Sequence, residues 1–343
     1  MTKEKTQILK GIAILFMIFF HLFNRMQFVD LCTPLIYIDG IPLVHFLTEY
    51  TNPVALFLIL GGYGLYKSNL KGDKNRWNRL LKLLIHFWVI LITFVIIGHF
   101  VKPDKYPGSS LTLLLNLSTF ESSYNGELWF LFPYIIVSIG ASLLYKLINR
   151  VPWLYIVIGT LLIHMGSIYF ITRVTPLVPS VEAYLNTLIH IPLFLFNFCM
   201  GMIAAKYNWI EGIQSKLSKI GIKLQVLIIL GFIGLLMAFS HFFPYNFFFG
   251  FFLLSALALL PYSKWATTTL VKLGNQSMNM WMIHSWFCYH LFSNFIYSFK
   301  YPIIIFIILC LISYGLSLLF NKTVTPLESL FLTKKEIKER PIL

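Results

Sequence analysis

Two polar residues, Lys10 and His21, lie in the first apolar stretch of the chain and could bind charge or transfer a proton. Eleven positions separate them, which on an α-helix corresponds to three turns plus about 20°, or roughly 16 Å along the axis. Both side chains therefore share one helix face. Polar groups in lipid are costly, so this face should contact protein, water or a ligand. The spacing predicts a site with a cation at its mouth and an imidazole three turns inside. The alternative is a lysine that snorkels and a histidine bonded to a neighbouring helix.

The next candidates are Arg76 and Arg79, in the basic segment that follows the second apolar stretch. Residues three apart share a face of a helix, and two guanidinium groups there suit a phosphate or a pyrophosphate. The alternative is the ordinary basic character of a loop on the inner side of a membrane.

Two later segments carry further polar residues. Glu127 opens an apolar stretch at its predicted outer end, either as an acid near a substrate or as a residue of the headgroup layer. Ser277, Trp281 and His284 follow the spacing i, i+4, i+7 and so form one helical stripe, which predicts either part of a site or ordinary packing.

The remaining histidines are more typical of hydrogen-bonded structural residues than of catalysts. Among them His45 has more weight, because Glu49 lies four positions later on the same predicted helix face. The sequence contains no glycine-rich phosphate loop, no HExxH motif and no nucleophile elbow. Its four cysteines form no CxxC motif, so we expect neither a metal site nor a disulfide framework.

Long apolar stretches must position these residues. The chain has 343 residues, of which 58% are hydrophobic and 12% charged, and apolar runs of about 20 residues recur along it. The pattern predicts an all-α polytopic membrane protein, a bundle of about ten transmembrane helices that forms a single domain over residues 1–343. The predicted spans are 7–27, 42–66, 80–101, 127–148, 153–172, 187–205, 224–243, 246–263, 278–297 and 301–320.

The basic residues test this arrangement. If the N-terminus is cytoplasmic, 22 of the 27 lysines and arginines fall in inner segments and five in outer ones, as the positive-inside rule requires. This distribution predicts that both termini are cytoplasmic and that the protein lies in the plasma or inner membrane. It also explains the net charge of +14 without a nucleic-acid partner.

Taken together, these segments resemble the membrane acyltransferase-3 family over nearly the whole chain. The first helix of that family typically reads Arg-Gly-Ile-Ala with a His eleven residues after the Arg, and an Arg-x-x-Arg follows its second span. Later spans carry Leu-Trp-Phe-Leu and Ser-x-x-x-Tyr-x-x-His. The matching residues here are Lys10 to Ala13 with His21; Arg76 and Arg79; Leu128 to Leu131; Ser277, Trp281 and His284; and Pro326 to Leu330 at the usual chain end after the tenth helix.

Three positions depart from the family pattern. Lys10 stands where Arg is usual, Glu127 where related sequences often have His, and Trp281 where Tyr is usual. The lysine weakens the case for a bidentate phosphate contact, and the tryptophan removes a hydroxyl group.

The resemblance implies a membrane O-acyltransferase that moves an acyl group, usually acetyl, from cytosolic acyl-CoA to a hydroxyl of a surface polysaccharide or a lipid-linked sugar. Acetyl-CoA would be a co-substrate rather than a tightly bound cofactor, and membrane lipid would surround the bundle. The implied catalytic residues are His21, as general base or acyl carrier, and Glu127. The implied donor-binding residues are Lys10, Arg76, Arg79, Ser277 and His284.

A sugar or lipid transporter is the alternative, because ten helices with buried histidines would also serve transport. The arginine pair and the lack of an obvious internal repeat favour the acyltransferase, since many transporters contain internal repeats.

Overall fold

The computed structural model describes residues 1–72, 76–179, 181–243 and 247–331, with only the backbone of Arg76. About 81% of the described residues are helical, as expected for an all-α polytopic membrane protein. The helices are α1 (Lys3–Phe23), α2 (Leu43–Thr48), α3 (Pro53–Leu70), α4 (Arg76–Val101), α5 (Ser110–Leu117), α6 (Leu131–Arg150), α7 (Trp153–Tyr169), α8 (Glu182–Tyr207), α9 (Trp209–Leu217), α10 (Ile222–Phe242), α11 (Phe249–Leu259), α12 (Lys264–Ser285), α13 (Ser293–Tyr297) and α14 (Pro302–Phe331).

Shorter elements connect these helices. A hairpin of two strands, β1 (Tyr37–Ile38) and β2 (Ile41–Pro42), follows α1. Single 3₁₀ or π turns occupy Met26–Asp30, Gly126–Phe130, Phe170–Val174, Thr175–Leu177 and Trp286–His290.

The predicted spans agree only in part with these helices. Within the described ranges, eight segments are long and apolar enough to cross a membrane. The predicted span 246–263 corresponds to α11, which has 11 residues. The predicted span 278–297 begins instead at Lys264, because Ser263 caps the helix by accepting a hydrogen bond from the backbone N–H of Ala266. The count of ten spans therefore stays a prediction.

The second predicted span, 42–66, is interrupted. Its residues form α2 and α3, separated by a break at Asn52, whose φ of 38° lies in the left-handed region. Pro53 then begins α3, a position where the missing N–H costs nothing. The break turns Thr48, Glu49 and Asn52 towards the interior cavity described below.

Glycines allow α1 to pack closely on α12. A Cβ at Gly11 would lie 2.2 Å from the carbonyl oxygen of Leu270, and a Cβ at Gly274 would lie 2.0 Å from that of Gln7. Such approaches are typical of small residues at membrane helix interfaces. The two helices that carry Lys10, His21 and His284 are therefore in direct backbone contact.

Buried polar contacts hold α4, α12 and α14 together. His86 on α4 lies 2.8 Å from Asn279 Oδ1 on α12 and 2.8 Å from Glu328 Oε1 on α14. Lys82 Nζ lies 3.2 Å from the other carboxylate oxygen of Glu328. Glu328 belongs to the segment Pro326–Leu330, which we expected after the last helix but which lies within α14.

Candidate active site

Helix α1 places Lys10 and His21 in the interior. Lys10 is 5% exposed and His21 is 7% exposed, and the two residues line different cavities. Lys10 lines a small cavity of about 30 Å³ together with Tyr134 and Ser277. His21 lines a larger cavity of about 300 Å³ together with Glu127.

The ring of His21 lies between two polar side chains. Its Nδ1 is 2.6 Å from Nε2 of His284, and its Nε2 is 3.0 Å from Oε2 of Glu127. The two imidazole planes differ by only 4°, so the rings lie side by side in nearly one plane. Three residues that are far apart in sequence thus form a continuous chain of hydrogen-bonding groups.

The partners of His284 fix the direction of these hydrogen bonds. His284 Nδ1 lies 3.1 Å from the carbonyl oxygen of Met280, which can only accept, so Nδ1 carries the proton. In the neutral ring, Nε2 of His284 then accepts from Nδ1–H of His21. The remaining nitrogen of His21 faces a carboxylate and donates to it as well. When the His21 ring is protonated, it therefore donates to His284 and to Glu127 at the same time.

Glu127 is held by its surroundings. Arg25 Nη2 lies 2.9 Å from Oε1 of Glu127, while the side chain of Glu127 is only 11% exposed. The guanidinium group of Arg25 packs on the ring of Tyr289 at 4.1 Å, and the Tyr289 hydroxyl donates to the carbonyl oxygen of His21. Asn125 caps the turn that carries Glu127 and donates to Ser285 Oγ on α12 at 2.8 Å. The carboxylate is therefore held by Arg25 at the end of α1, and its turn is held to α12 through Asn125.

The larger cavity combines polar and aromatic walls. Thr48, Glu49 and Asn52 line it from the α2–α3 break, and Trp129 lines it beside Glu127. Of the pair His45 and Glu49, which the sequence singled out by spacing, only Glu49 lines this cavity. The Nδ1 atom of His45 lies 2.7 Å from the carbonyl oxygen of Phe23.

A family model for the acyltransferase domain matches residues 6–322, which is nearly the whole chain. The chain belongs to the acyltransferase-3 family. No curated protein and no solved structure matches it. The protein is therefore a multi-pass membrane acyltransferase, and the resemblance drawn from its motifs is confirmed.

The arginine pair of this acyltransferase lies at the start of α4. Arg79 Nη2 donates to Ser68 Oγ near the end of α3 at 3.0 Å. The side chain of Arg76 lies outside the described residues. Any joint phosphate contact of the two arginines stays a prediction.

The helical stripe of Ser277, Trp281 and His284 on α12 extends from one cavity to the other. Ser277 lines the small cavity and Trp281 lines both cavities. His284, which the resemblance placed with the donor-binding residues, contacts the ring of His21.

Sequence reasoning missed three residues of the site: Arg25, Asn125 and Tyr289. The spacing of Arg25, four positions after His21, is not a helix-face signal, because α1 ends at Phe23 and the backbone of Arg25 is extended. Asn125 precedes Glu127 by two positions, a spacing at which an Asn side chain caps a turn. No pattern in the sequence indicates Tyr289, because its role depends on how α1 meets the π turn after α12.

Proposed function

We propose that this acyltransferase transfers an acetyl group from cytosolic acetyl-CoA to a hydroxyl of an extracytoplasmic polysaccharide or lipid-linked sugar. The observation that carries the proposal is the His21–Glu127 pair, 3.0 Å apart, on the wall of a cavity of about 300 Å³. The same cavity presents the hydroxyl of Thr48, the carboxylate of Glu49 and the amide of Asn52. Such groups suit the hydroxyls of a sugar. Family membership favours acyl transfer over the transporter alternative.

On the donor side, the proposal uses the buried cation of Lys10. A lysine contacts phosphate as a point charge, and Lys10 lines the small cavity with Ser277. We expect the phosphates of acetyl-CoA near Lys10, Arg76 and Arg79, with its thioester arm directed along α1 towards His21.

The proposed reaction is direct transfer. The reacting form is the neutral ring, in which the Nε2 proton has been released to water and the acceptor hydroxyl, entering from the cavity, has displaced the Glu127 carboxylate from Nε2 and donates to this nitrogen. As the hydroxyl oxygen attacks the thioester carbonyl carbon, Nε2 takes the hydroxyl proton. The carbon–sulfur bond then breaks, and the CoA thiolate receives that proton. Glu127, held by Arg25, stabilises the imidazolium that forms between these two steps.

The neighbours of His21 favour a general base over an acyl carrier. An acyl-imidazole requires one ring nitrogen with free space for the acyl group. Here Nδ1 is paired with His284 and Nε2 faces the Glu127 carboxylate, and a covalently bonded acyl group would displace that carboxylate further than a hydrogen-bonded hydroxyl does. His284 acts as a positioning residue, because its Nε2 keeps the proton of His21 on Nδ1.

Two measurements test the proposal. Purified protein in lipid nanodiscs should bind acetyl-CoA and release CoA slowly, which a thiol reagent detects. Cells that lack the protein should lose ester-linked acetyl groups from their envelope glycans, as measured by base release and mass spectrometry. Absence of acetyl-CoA binding together with unchanged glycan esters would reject the proposal.

A further inference from the structure

A third cavity, of about 560 Å³, shares no described lining residue with the two cavities of the site. Side chains from α7, α8, α9, α10 and α11 line it. Among the described residues of this lining, every side chain is apolar or aromatic except that of Ser255, whose hydroxyl donates to the carbonyl oxygen of Phe251 at 2.8 Å. Because that hydroxyl already has its acceptor, the interior of the cavity suits a hydrocarbon chain rather than a polar ligand.

The cavity lies where the protein is exposed to lipid. In the most apolar stretches of α7 and α10, only 17% and 11% of the residues are buried. Three residues of the lining, Ile213, Ile228 and Phe252, are themselves 45%, 46% and 40% exposed. Since α7 and α10 are apolar and long enough to cross a membrane, a chain of the surrounding lipid can enter the cavity without passing through the bundle.

Helix α9 forms one wall of the cavity with the apolar face of an amphipathic helix. Trp209, Ile210, Ile213 and Leu217 line the cavity at the spacing of one helix face. The ring of Trp209 meets that of Trp153, at the start of α7, edge-on at 5.6 Å. A short amphipathic helix with tryptophans beside it is typical of the membrane interface. We therefore expect this end of the cavity to lie at the level of the lipid headgroups.

Two exposed lysines border this wall. Lys216 lies three positions after Ile213 and one before Leu217, so it stands at the edge of the apolar face of α9. Lys219 follows in the turn between α9 and α10. Lysine side chains can cover apolar surface with their methylene groups while their ammonium groups reach the headgroup layer. Both residues belong to a segment that is predicted to face the cytoplasm.

Acidic residues are scarce in this part of the chain. Between Ala183 and Leu327 the sequence contains one acidic residue, Glu211. Its carboxylate pairs with the terminal amine of Met1 and accepts a hydrogen bond from the hydroxyl of Tyr63 at 2.7 Å. Helix α9 and the turn after it therefore carry an excess of positive charge.

We propose that this cavity holds an acyl chain of an anionic phospholipid whose phosphate contacts Lys216 and Lys219. The inference goes beyond the proposed function and does not depend on it. The apolar lining accounts for the chain, and the exposed lysines account for the charge of the headgroup. On the predicted topology α9 lies on the cytoplasmic side, so the ligand is a phospholipid of the inner leaflet.

The first test measures the preference for headgroup charge. Delipidated protein is titrated with phosphatidylglycerol and with phosphatidylcholine of identical chains, and native mass spectrometry gives the affinity of the first bound lipid. Wild-type protein should prefer phosphatidylglycerol. The double variant Lys216→Gln/Lys219→Gln should reduce this preference at least about fivefold, the size expected for a basic residue near anionic lipid.

Lys272→Gln/Lys322→Gln is the matched control. It removes two exposed lysines of the predicted inner side from α12 and α14, which contribute no described residue to this cavity. Because attraction to a headgroup falls off over about a Debye length, its preference should stay within about twofold of wild type.

The second test locates the acyl chain. A phosphatidylglycerol with a diazirine in its acyl chain is crosslinked to the protein in phosphatidylcholine nanodiscs, and the labelled peptides are mapped. Label should concentrate in the segments 209–217 and 228–259. Ile228→Trp should remove most of this label by filling the cavity, whereas Leu227→Trp should retain it, since Leu227 is 67% exposed on the same helix and does not belong to the described lining.

Three results would overturn the inference. Wild-type protein could bind both lipids equally, the lysine variant could keep the full preference for phosphatidylglycerol, or the label could be spread evenly over all the exposed helices. None of these results bears on acetyl-CoA binding or on glycan esters, so the proposed function stands or falls separately.

Discussion

At the scale of single residues, the site depends on the carboxylate of Glu127. Glu127 lies 3.0 Å from His21 and 2.9 Å from Arg25, so it compensates the charge of both neighbours. The sequence alone left Glu127 open between an acid near substrate and a headgroup-layer residue. The geometry favours a role beside His21, since a carboxylate next to an imidazole orients the ring and stabilises its protonated form.

Glu127→Gln should reduce acyl transfer by about 10² to 10⁴, because the amide keeps the size of the side chain but cannot stabilise an imidazolium. CoA release and protein level would be measured together in nanodiscs. Glu121→Gln is the control, since Glu121 lies in the same segment between α5 and α6, while Glu127 is the carboxylate that pairs with His21. Normal activity of Glu127→Gln would show that Glu127 is a residue of the headgroup layer without a part in acyl transfer.

Arg25→Ala should have a smaller effect, about tenfold on the rate. The Arg25 side chain is 57% exposed, so solvent weakens its pairing with Glu127, although its stacking on Tyr289 is also lost. As a positioning residue it should change the rate at saturating acetyl-CoA and leave the apparent affinity for acetyl-CoA nearly constant. Arg25→Lys should recover part of the rate. An equal loss in both variants, or a change in acetyl-CoA affinity alone, would contradict this role.

At the scale of elements, α1 was predictable and its partners were not. The spacing of Lys10 and His21 fixes one helix face, and both residues are buried. The contact of His21 with His284 spans 263 positions, and no local pattern specifies which helix faces meet. The break at Asn52 was also missed, although the polar segment from Thr48 to Asn52 and the following Pro53 interrupt the predicted span 42–66 and are signals for a break.

The crossing of α1 and α12 predicts an effect on stability. Gly274→Ala should destabilise the protein by about 1–3 kcal/mol, because the new Cβ would lie 2.0 Å from the carbonyl oxygen of Gln7 and force the helices apart. Thermal unfolding in detergent measures the change. Gly231→Ala is the control, since a Cβ there on α10 has no heavy atom within 4 Å. That variant should be unchanged or slightly more stable, as alanine is the better helix former. Equal midpoints for both variants would contradict the close crossing.

At the scale of the whole molecule, composition predicted the class correctly and the spans imperfectly. Hydropathy identifies long apolar helices, eight of which occur in the described ranges. It does not identify the first half of α12, which is rich in lysine and threonine and is helical because it is capped and packed. The prediction of which segments face the cytoplasm therefore depends on the basic residues. Of the 27 lysines and arginines, 22 fall on the predicted inner side.

Both termini should be cytoplasmic. A reporter fused after Leu343 should label the inner side, and a reporter inserted in the 102–126 segment should label the outer side. A reporter inserted between Leu217 and Ile222 should also label the inner side. Labelling of the C-terminus and the 102–126 segment on the same side would refute the topology and, with it, the direction of transfer.

The central claim is that His21 accepts the proton of the acceptor hydroxyl, and His21→Gln tests it most directly. Glutamine keeps hydrogen bonding towards His284 and Glu127 but cannot take up a proton. Ester-linked acetyl on envelope glycans would be measured in cells that produce each variant, with protein level and acetyl-CoA binding as controls. We expect acylation to fall by about 10² to 10⁴ while both controls stay near wild type. Ordinary acylation by His21→Gln would show that the histidine is only a structural hydrogen-bonding residue.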